Sequence, residues 1–227
     1  MDRRLLLLVV AVVALVGVVN ATVYAYRWIT GTVIVKGPDE ATGAACTGFY
    51  SSADQPDISG YLPQAGTNHN AQTYGSNSIS VTPIYVVCQW TNTTNGRQVQ
   101  LYEGIDVSIP ITVGSWYIQD FYGFGYYNGT DPVYVYFRLE DNAADDSYLS
   151  TAKLIVYKVS DSTTTFVGQY DLLSSSGTQW YITSLSSGEA LRLDLRFDAA
   201  NSGQVSFRIG VYVTQEANKA PSNPPNP

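Results

Sequence analysis

The chain has very few of the side chains on which enzyme chemistry usually depends. Its 227 residues include one histidine, His69, and only two cysteines. A zinc hydrolase needs at least three protein ligands, and a serine hydrolase places its nucleophile on a recognisable elbow motif. Neither pattern occurs in the sequence. We therefore expect no catalytic residues, no metal site and no cofactor, and we interpret His69 as an ordinary loop residue.

Charge is also scarce. Asp, Glu, Lys and Arg make up 14% of the chain, against roughly 25% in typical soluble domains. Lys and Arg number 12 and Asp and Glu number 19, so the net charge is −7 and a phosphate backbone would be repelled. Hydrophobic residues reach 45% of the chain, with 18 tyrosines, which excludes a disordered protein. The composition favours a folded protein that binds no nucleic acid.

The N-terminus has the pattern of an export signal. A short basic start precedes an uncharged apolar run at 5–19, which is shorter than the roughly 20 residues that span a bilayer. We predict a signal peptide at 1–21, with cleavage after Ala21 or Ala25, and an uncleaved anchor is the alternative. The protein is then secreted, and it meets the membrane only transiently through its signal peptide.

If the protein is exported, its cysteines can form a disulfide and its Asn-x-Thr sequences can be glycosylated. In an oxidising compartment Cys46 and Cys88 can form a disulfide, although two separate buried thiols are the alternative. Asn92 and Asn128 lie in turn-like stretches and are candidate glycosylation sites.

Short β-prone runs recur along the rest of the chain, separated by Gly, Asn, Asp and Ser clusters. About ten antiparallel strands without a helix predict an all-β fold, a jelly-roll-like sandwich of two sheets. We place this sandwich at 31–216, with a loop-rich insertion at 41–79 and a Pro-rich tail at 217–227. The predicted strands are 31–36, 79–90, 97–113 (interpreted as two), 115–124, 132–140, 152–160, 164–173, 179–184, 189–197 and 204–214.

Two further clusters are candidates for binding. Asp141, Asp145 and Asp146 form a weak calcium site, for which a solvated acidic turn is the stronger alternative. Aromatic residues crowd 115–127, where exposed rings could stack on sugars or join a protein interface and buried rings would simply be core. We favour a partly exposed ridge that contacts protein. Its members are Trp116, Tyr117, Phe121, Tyr122 and Tyr126.

The segment 22–30 is apolar and β-prone, where exported domains usually have a polar, frayed end. In an extended chain its aromatic residues alternate with the rest, and Thr30 and Gly31 then interrupt the run. Such a strand can pair with its own sheet or add to the sheet of a neighbour, and the second arrangement propagates head to tail as a filament. The donor-strand residues would be Val23, Tyr24, Tyr26, Trp28 and Ile29.

A family resemblance supports the second arrangement. The sequences TGTVIVKG, YNGTDPVYVYFRLED, LIVYKVSDSTTTFVGQYDLL and LSSGEALRLDLRFDAANSGQVSFRIGVYVTQEA resemble the TasA/camelysin group of biofilm matrix proteins, and especially the archaeal bundling pilins related to it. The resemblance covers most of 22–216. It implies an archaeal jelly-roll subunit that polymerises by donor-strand complementation into extracellular fibres, which bundle. The insertion at 41–79 and the cystine depart from the simplest family pattern.

We therefore predict a structural subunit of an extracellular filament, with itself as partner both head to tail and in lateral bundles. A secreted carbohydrate-binding or adhesin sandwich that uses the 115–127 aromatics is the alternative. A second alternative is a metallopeptidase, because camelysin was described as one, but the missing zinc ligands argue against transferring that activity.

Overall fold

The structure is a computed structural model of a single chain. It describes residues 25–29, 45–67, 73–74, 77–109, 112–143, 148–161, 163–201 and 206–218. At 25–29, 73–74 and 77–78 it describes the backbone alone. The predicted strand at 31–36, His69, and residues 219–227 of the tail lie outside the described residues.

The described residues form strands and one short 3₁₀ helix, Pro56–Gly60. The strands are β1 Ala25–Ile29, β2 Cys46–Tyr50, β3 Thr73–Tyr74, β4 Asn77–Ser78, β5 Ser80–Thr91, β6 Gln98–Ser108, β7 Gly114–Tyr127, β8 Val133–Asp141, β9 Leu149–Ser160, β10 Thr163–Asp171, β11 Gln179–Leu185, β12 Glu189–Ala199 and β13 Arg208–Thr214. None of the helical structure described is long and apolar enough to cross a membrane.

The strands form a two-layer sandwich, which confirms the predicted all-β fold. One layer has seven strands in the order β10-β9-β12-β7-β2-β6-β5, and the other has three in the order β13-β8-β11. Apart from the parallel contact of β1 with β6, the strand pairs of both layers are antiparallel. The region 97–113 is interpreted as two strands, whereas its described residues contain one, β6.

Alternating side chains fill the space between the layers. In β12 the odd-numbered residues from Leu191 to Phe197 are buried in this core, as the period-two pattern of EALRLDLRF predicts. The facing layer contributes Val135 and Phe137 from β8 and Val211 from β13, each fully buried. Burial of these apolar side chains holds the two layers together.

A second apolar cluster lies on the outer face of the seven-stranded layer. Residues 51–67 fold over β2, β6 and β7, and they bury Ile58, Leu62 and Ala65 against Tyr50. The glycines of β7 make this close packing possible, because a Cβ at Gly125 would lie 2.6 Å from Leu62 Cδ1. The prediction that 41–79 is a loop-rich insertion is therefore wrong in part. It contains β2, a strand between β7 and β6 whose last four residues are buried.

A bulge in β7 organises a buried polar network. Asp120 has a left-handed φ of 52°, and β7 there has three residues, 119–121, opposite Asp194 alone. The fully buried Asp194 carboxylate accepts hydrogen bonds from the Asp120 amide at 2.7 Å, from the Tyr117 hydroxyl and from two nitrogens of Arg192 at 3.2 Å each. Partial burial and the hydrogen bond to Asp194 raise the pKa of the Tyr117 phenol.

We expect Asp194→Ala to destabilise the fold by about 3–5 kcal/mol, because it leaves Arg192 without its carboxylate and the Asp120 amide without its acceptor. Chemical unfolding of the full chain measures the change. Asp161→Ala, at an exposed turn, is the matched control and should change stability by less than about 0.5 kcal/mol. Equal unfolding midpoints for the two variants would contradict the assigned role of Asp194.

The two cysteines form a disulfide that links β2 to β5. Their Cα atoms are 6.5 Å apart, and the bond closes a loop with a sequence separation of 42. We expect Cys46→Ser with Cys88→Ser to lower the free energy of unfolding by about 2–5 kcal/mol, since the bond restricts the unfolded chain. Thermal unfolding with and without reductant tests this, and a wild-type protein insensitive to reductant would contradict it.

Candidate functional site

Strand β1 connects the two layers of the sandwich. It lies between β6 and β13, antiparallel to β13 from Ala25↔Val213 to Ile29↔Ile209, and parallel to β6 at Trp28↔Gly104 and Ile29↔Ile105. Among the described strands, no other pairing joins the seven-stranded layer to the three-stranded layer. The space between β6 and β13, which we call the β1 groove, is therefore the place where the sheet is completed.

With β1 in place, the walls of the β1 groove are mostly apolar and almost inaccessible to solvent. From Ile209 to Thr214 every residue of β13 is buried. On β6, Ile105 is fully buried and Glu103 is 5% exposed. In this arrangement β1 supplies the strand partner for the facing backbone groups of β6 and β13, which would otherwise need water or another strand.

The register assigns the two faces of β1. Ala25, Arg27 and Ile29 lie opposite the core residues Val213, Val211 and Ile209, so these positions share the inner face. Tyr26 and Trp28 share the outer face. Val23 and Tyr24, the other predicted donor-strand residues, lie outside the described residues.

Sequence reasoning missed the wall residues Glu103, Gly104 and Gly210. Glycine is disfavoured in strand interiors, and there it often marks the close approach of another backbone. The sequences LYEGIDV and RIGVYV contain that signal, but only the pairing shows that both glycines lie opposite one residue of β1.

The length of the connection after β1 limits how far β1 can lie from the rest of its own molecule. Residues 30–44 separate β1 from the described chain at Ala45. An extended stretch of that length reaches up to roughly 50 Å. Strand β1 runs parallel to β6, and β2 runs antiparallel to β6. The last residue of β1 and the first residue of β2 therefore lie toward the same end of β6. The length thus permits β1 to occupy the groove of its own molecule or that of a neighbour.

The structure corrects the predicted aromatic ridge at 115–127. Phe121, Tyr122 and Tyr126 are each at most 1% exposed. Both faces of β7 are covered there, one by the inter-layer core and the other by residues 51–67. Trp116 is half-buried, and its indole nitrogen donates to the Thr112 carbonyl at 2.7 Å. Only Tyr117, at 45% exposure, presents much surface.

The candidate glycosylation sites follow two stacked aromatic residues. Trp90 and Tyr127 stack with ring centroids 4.5 Å apart, and Tyr61 meets both rings edge-on. Asn92 and Asn128 come directly after the ends of the strands that carry these rings, so both lie at one end of the sandwich. Asn128 is exposed, and the Asn92 side-chain oxygen accepts a hydrogen bond from the Thr94 amide at 2.8 Å.

The predicted calcium cluster is described only in part. Asp141 is exposed at the end of β8, while Asp145 and Asp146 lie outside the described residues. Within the described part of the chain, no group of three His, Cys, Asp or Glu side chains is arranged to hold a metal ion.

Searches of protein-family models and of curated protein sequences find no match to this chain. The candidate site therefore stands on its own geometry. That geometry is an apolar groove between two layers, completed by a short strand on a long connection.

Proposed function

We propose that the protein is a structural subunit of an extracellular filament in which β1 of each molecule completes the sheet of the next. The proposal rests on the position of β1. This strand connects the two layers, and it is the first described strand of the chain. The resemblance to the TasA/camelysin group points in the same direction.

The exchange conserves the interactions of the groove. The same five residues of β1 meet the same walls whether β1 comes from the same molecule or from another, so cis and trans complementation differ mainly in the state of the connection at 30–44. Because these residues tie β1 to its own groove, the groove of the same molecule competes at an effective concentration set by the length and stiffness of the connection. Subunits that are concentrated at a cell surface or at a growing filament end can compete with that value.

The geometry of exchange leads to a filament. The donor and the groove are different surfaces of one molecule, so each subunit gives one strand and receives one. Such a head-to-tail contact propagates without limit unless its rotation closes a ring. Burial of the groove walls makes the contact strong, because separation would expose Ile105, Ile209 and Val211 to water.

Lateral bundling is the second part of the proposal, and the surface composition supports it. Charged residues are 14% of the chain, so few ions need to be desolvated when two filaments meet. Exposed aromatic residues provide contact area, with Tyr117 45%, Phe166 57% and Tyr181 53% exposed. Phe166 and Tyr181 lie on β10 and β11, which are the outer strands of their layers.

A cysteine pair in the β1 register distinguishes exchange from self-complementation. Ala25 and Val213 are paired small residues, so Ala25→Cys with Val213→Cys can form a disulfide across the groove. After oxidation under assembly conditions, exchange gives a ladder of covalent multimers on a non-reducing denaturing gel. Ala25→Cys alone is the control and gives dimers at most. A product that is entirely monomeric would refute the exchange.

Deletion of 22–30 tests the same proposal by electron microscopy. We expect a soluble β-rich monomer or an unstable domain, and no fibres, because the groove then has no strand to receive. Fibres like those of the intact chain would refute the donor role of this segment.

A further inference from the structure

A row of contacting side chains crosses the seven-stranded layer over four neighbouring strands, β7, β12, β9 and β10. The Tyr117 hydroxyl donates to the Asp194 carboxylate, which also accepts hydrogen bonds from Arg192 at 3.2 Å. The Arg192 Cζ atom lies 4.2 Å from the centroid of the Tyr157 ring. That ring meets the Phe166 ring edge-on, with centroids 5.7 Å apart. We call these five residues the outer row.

The alternation of side chains places the outer row on the face that points away from the inter-layer core. In β12 the residues on both sides of Asp194 are leucines of that core. The register pairs Tyr157 with Arg192 on one side and with Phe166 on the other, so these side chains meet directly across neighbouring strands. The outer row is therefore held in place by the sheet and by its own contacts.

Both ends of the outer row are open to solvent, although its centre is not. Tyr117 is 45% exposed and Phe166 is 57% exposed, whereas Asp194 is fully buried. Residues 51–67 cover a different part of the same outer face, and no member of the outer row belongs to the apolar cluster that they form. Aromatic and arginine side chains dominate protein contacts, and side chains that are already ordered lose little entropy on binding. The outer row therefore has the features of a contact surface.

The charges on the outer face of β12, β9 and β10 balance one another. This face carries three bases and three acids, which are Lys153, Arg192, Arg196, Asp171, Asp194 and Asp198. Four of them form ion pairs along β12, at 3.2 Å and 3.7 Å, and Lys153 lies opposite Asp171 in the register. Three bases minus three acids leave a net charge of zero, so the net charge of −7 belongs to other parts of the chain.

A second copy of this chain is the partner that suits such a face. Two acidic molecules repel each other through most of their surfaces, but not through a face on which each charge has its opposite beside it. The pair at the centre of the outer row is already largely out of water, because the Arg192 side chain is 18% exposed and that of Asp194 is 0% exposed. Contact with a copy therefore adds little desolvation of charge.

We propose that the outer face of β12, β9 and β10, with Tyr117 at its margin, is the surface through which two copies of this protein dock side by side. The inference rests on the proposed function for its setting, since it gives a location to lateral bundling, but docking of copies does not require strand exchange. Phe166 contributes most to the contact, because it is the most exposed ring of the outer row and has the most surface to bury.

Phe166→Glu in the full chain tests this contact. The substitution removes an exposed ring and adds a charge to the face. We expect lateral association to require a protein concentration roughly tenfold higher or more, the effect of losing a central contact residue. Sedimentation velocity measures the association of copies, and electron microscopy shows whether filaments lie in bundles or singly. Thr164→Glu, two residues earlier in β10 and exposed, should act in the same direction.

The matched control is Val86→Glu. Val86 is 44% exposed on β5, at the opposite edge of the seven-stranded layer from β10, so the substitution adds the same charge away from the outer row. It should leave association at the level of the unmodified chain. Thermal unfolding shows whether each variant is folded, and Phe166→Ser provides the comparison without an added charge if Phe166→Glu does not fold.

The outcomes separate this inference from the proposed function. Single filaments from Phe166→Glu and bundles from Val86→Glu support both. Copies that associate without forming filaments, and that Phe166→Glu separates, support the docking face and refute strand exchange. Association that Phe166→Glu leaves unchanged, or that Val86→Glu weakens as much, overturns the docking face and leaves strand exchange standing. An unmodified chain that stays monomeric and binds maltohexaose more tightly than Phe166→Glu does also overturns it, because the face is then a sugar-binding surface.

Discussion

The structure depends on one pairing, the insertion of β1 between β6 and β13. Each of these strands has a fixed partner on its other side, β5 for β6 and β8 for β13, so each presents one row of backbone groups to the groove. The walls are buried, and unpaired backbone groups in such a place are costly. The sandwich is therefore complete only when a strand occupies the groove, which links the folding of a subunit to the source of that strand.

The remainder of the seven-stranded layer is stabilised by long-range contacts that do not involve β1. The cystine ties β2 to β5, residues 51–67 cover the outer face, and Asp120 accepts hydrogen bonds from the Gly66 amide at 2.6 Å and the Thr67 amide at 3.3 Å. These interactions hold one wall of the groove independently of its occupant. A preformed wall binds a strand at lower entropic cost than a wall that must order on binding.

Some of these features could be predicted from the sequence and others could not, and each outcome has its own physical reason. The alternation in β12 identifies a half-buried strand because one of its faces meets the core and the other does not. The same reasoning fails for β7, whose aromatic residues are buried in the inter-layer core. Residues 51–67, a distant part of the chain, cover the glycines on its other face. It fails for β2 because CTGFY is short and lies in a polar stretch. The alternation at 22–30 predicts a strand, and β1 lies at Ala25–Ile29, but local alternation contains no information about which molecule supplies the pairing partner.

The arrangement of the two ends of β6 bears on assembly. The first residues of β6 pair with the last residues of β5, next to Asn92. The pairing of β6 with β1 begins three to six residues further along, at Gly104. Asn128 lies near the first of these regions, since Trp90 stacks on Tyr127. Glycans at these two asparagines would extend from the end of the sandwich that carries the aromatic stack, while the strand docks along the other half of β6. Glycans at Asn92 and Asn128 and the pairing of β1 would then lie toward opposite ends of β6, so a bulky, hydrated surface can coexist with a tightly paired groove.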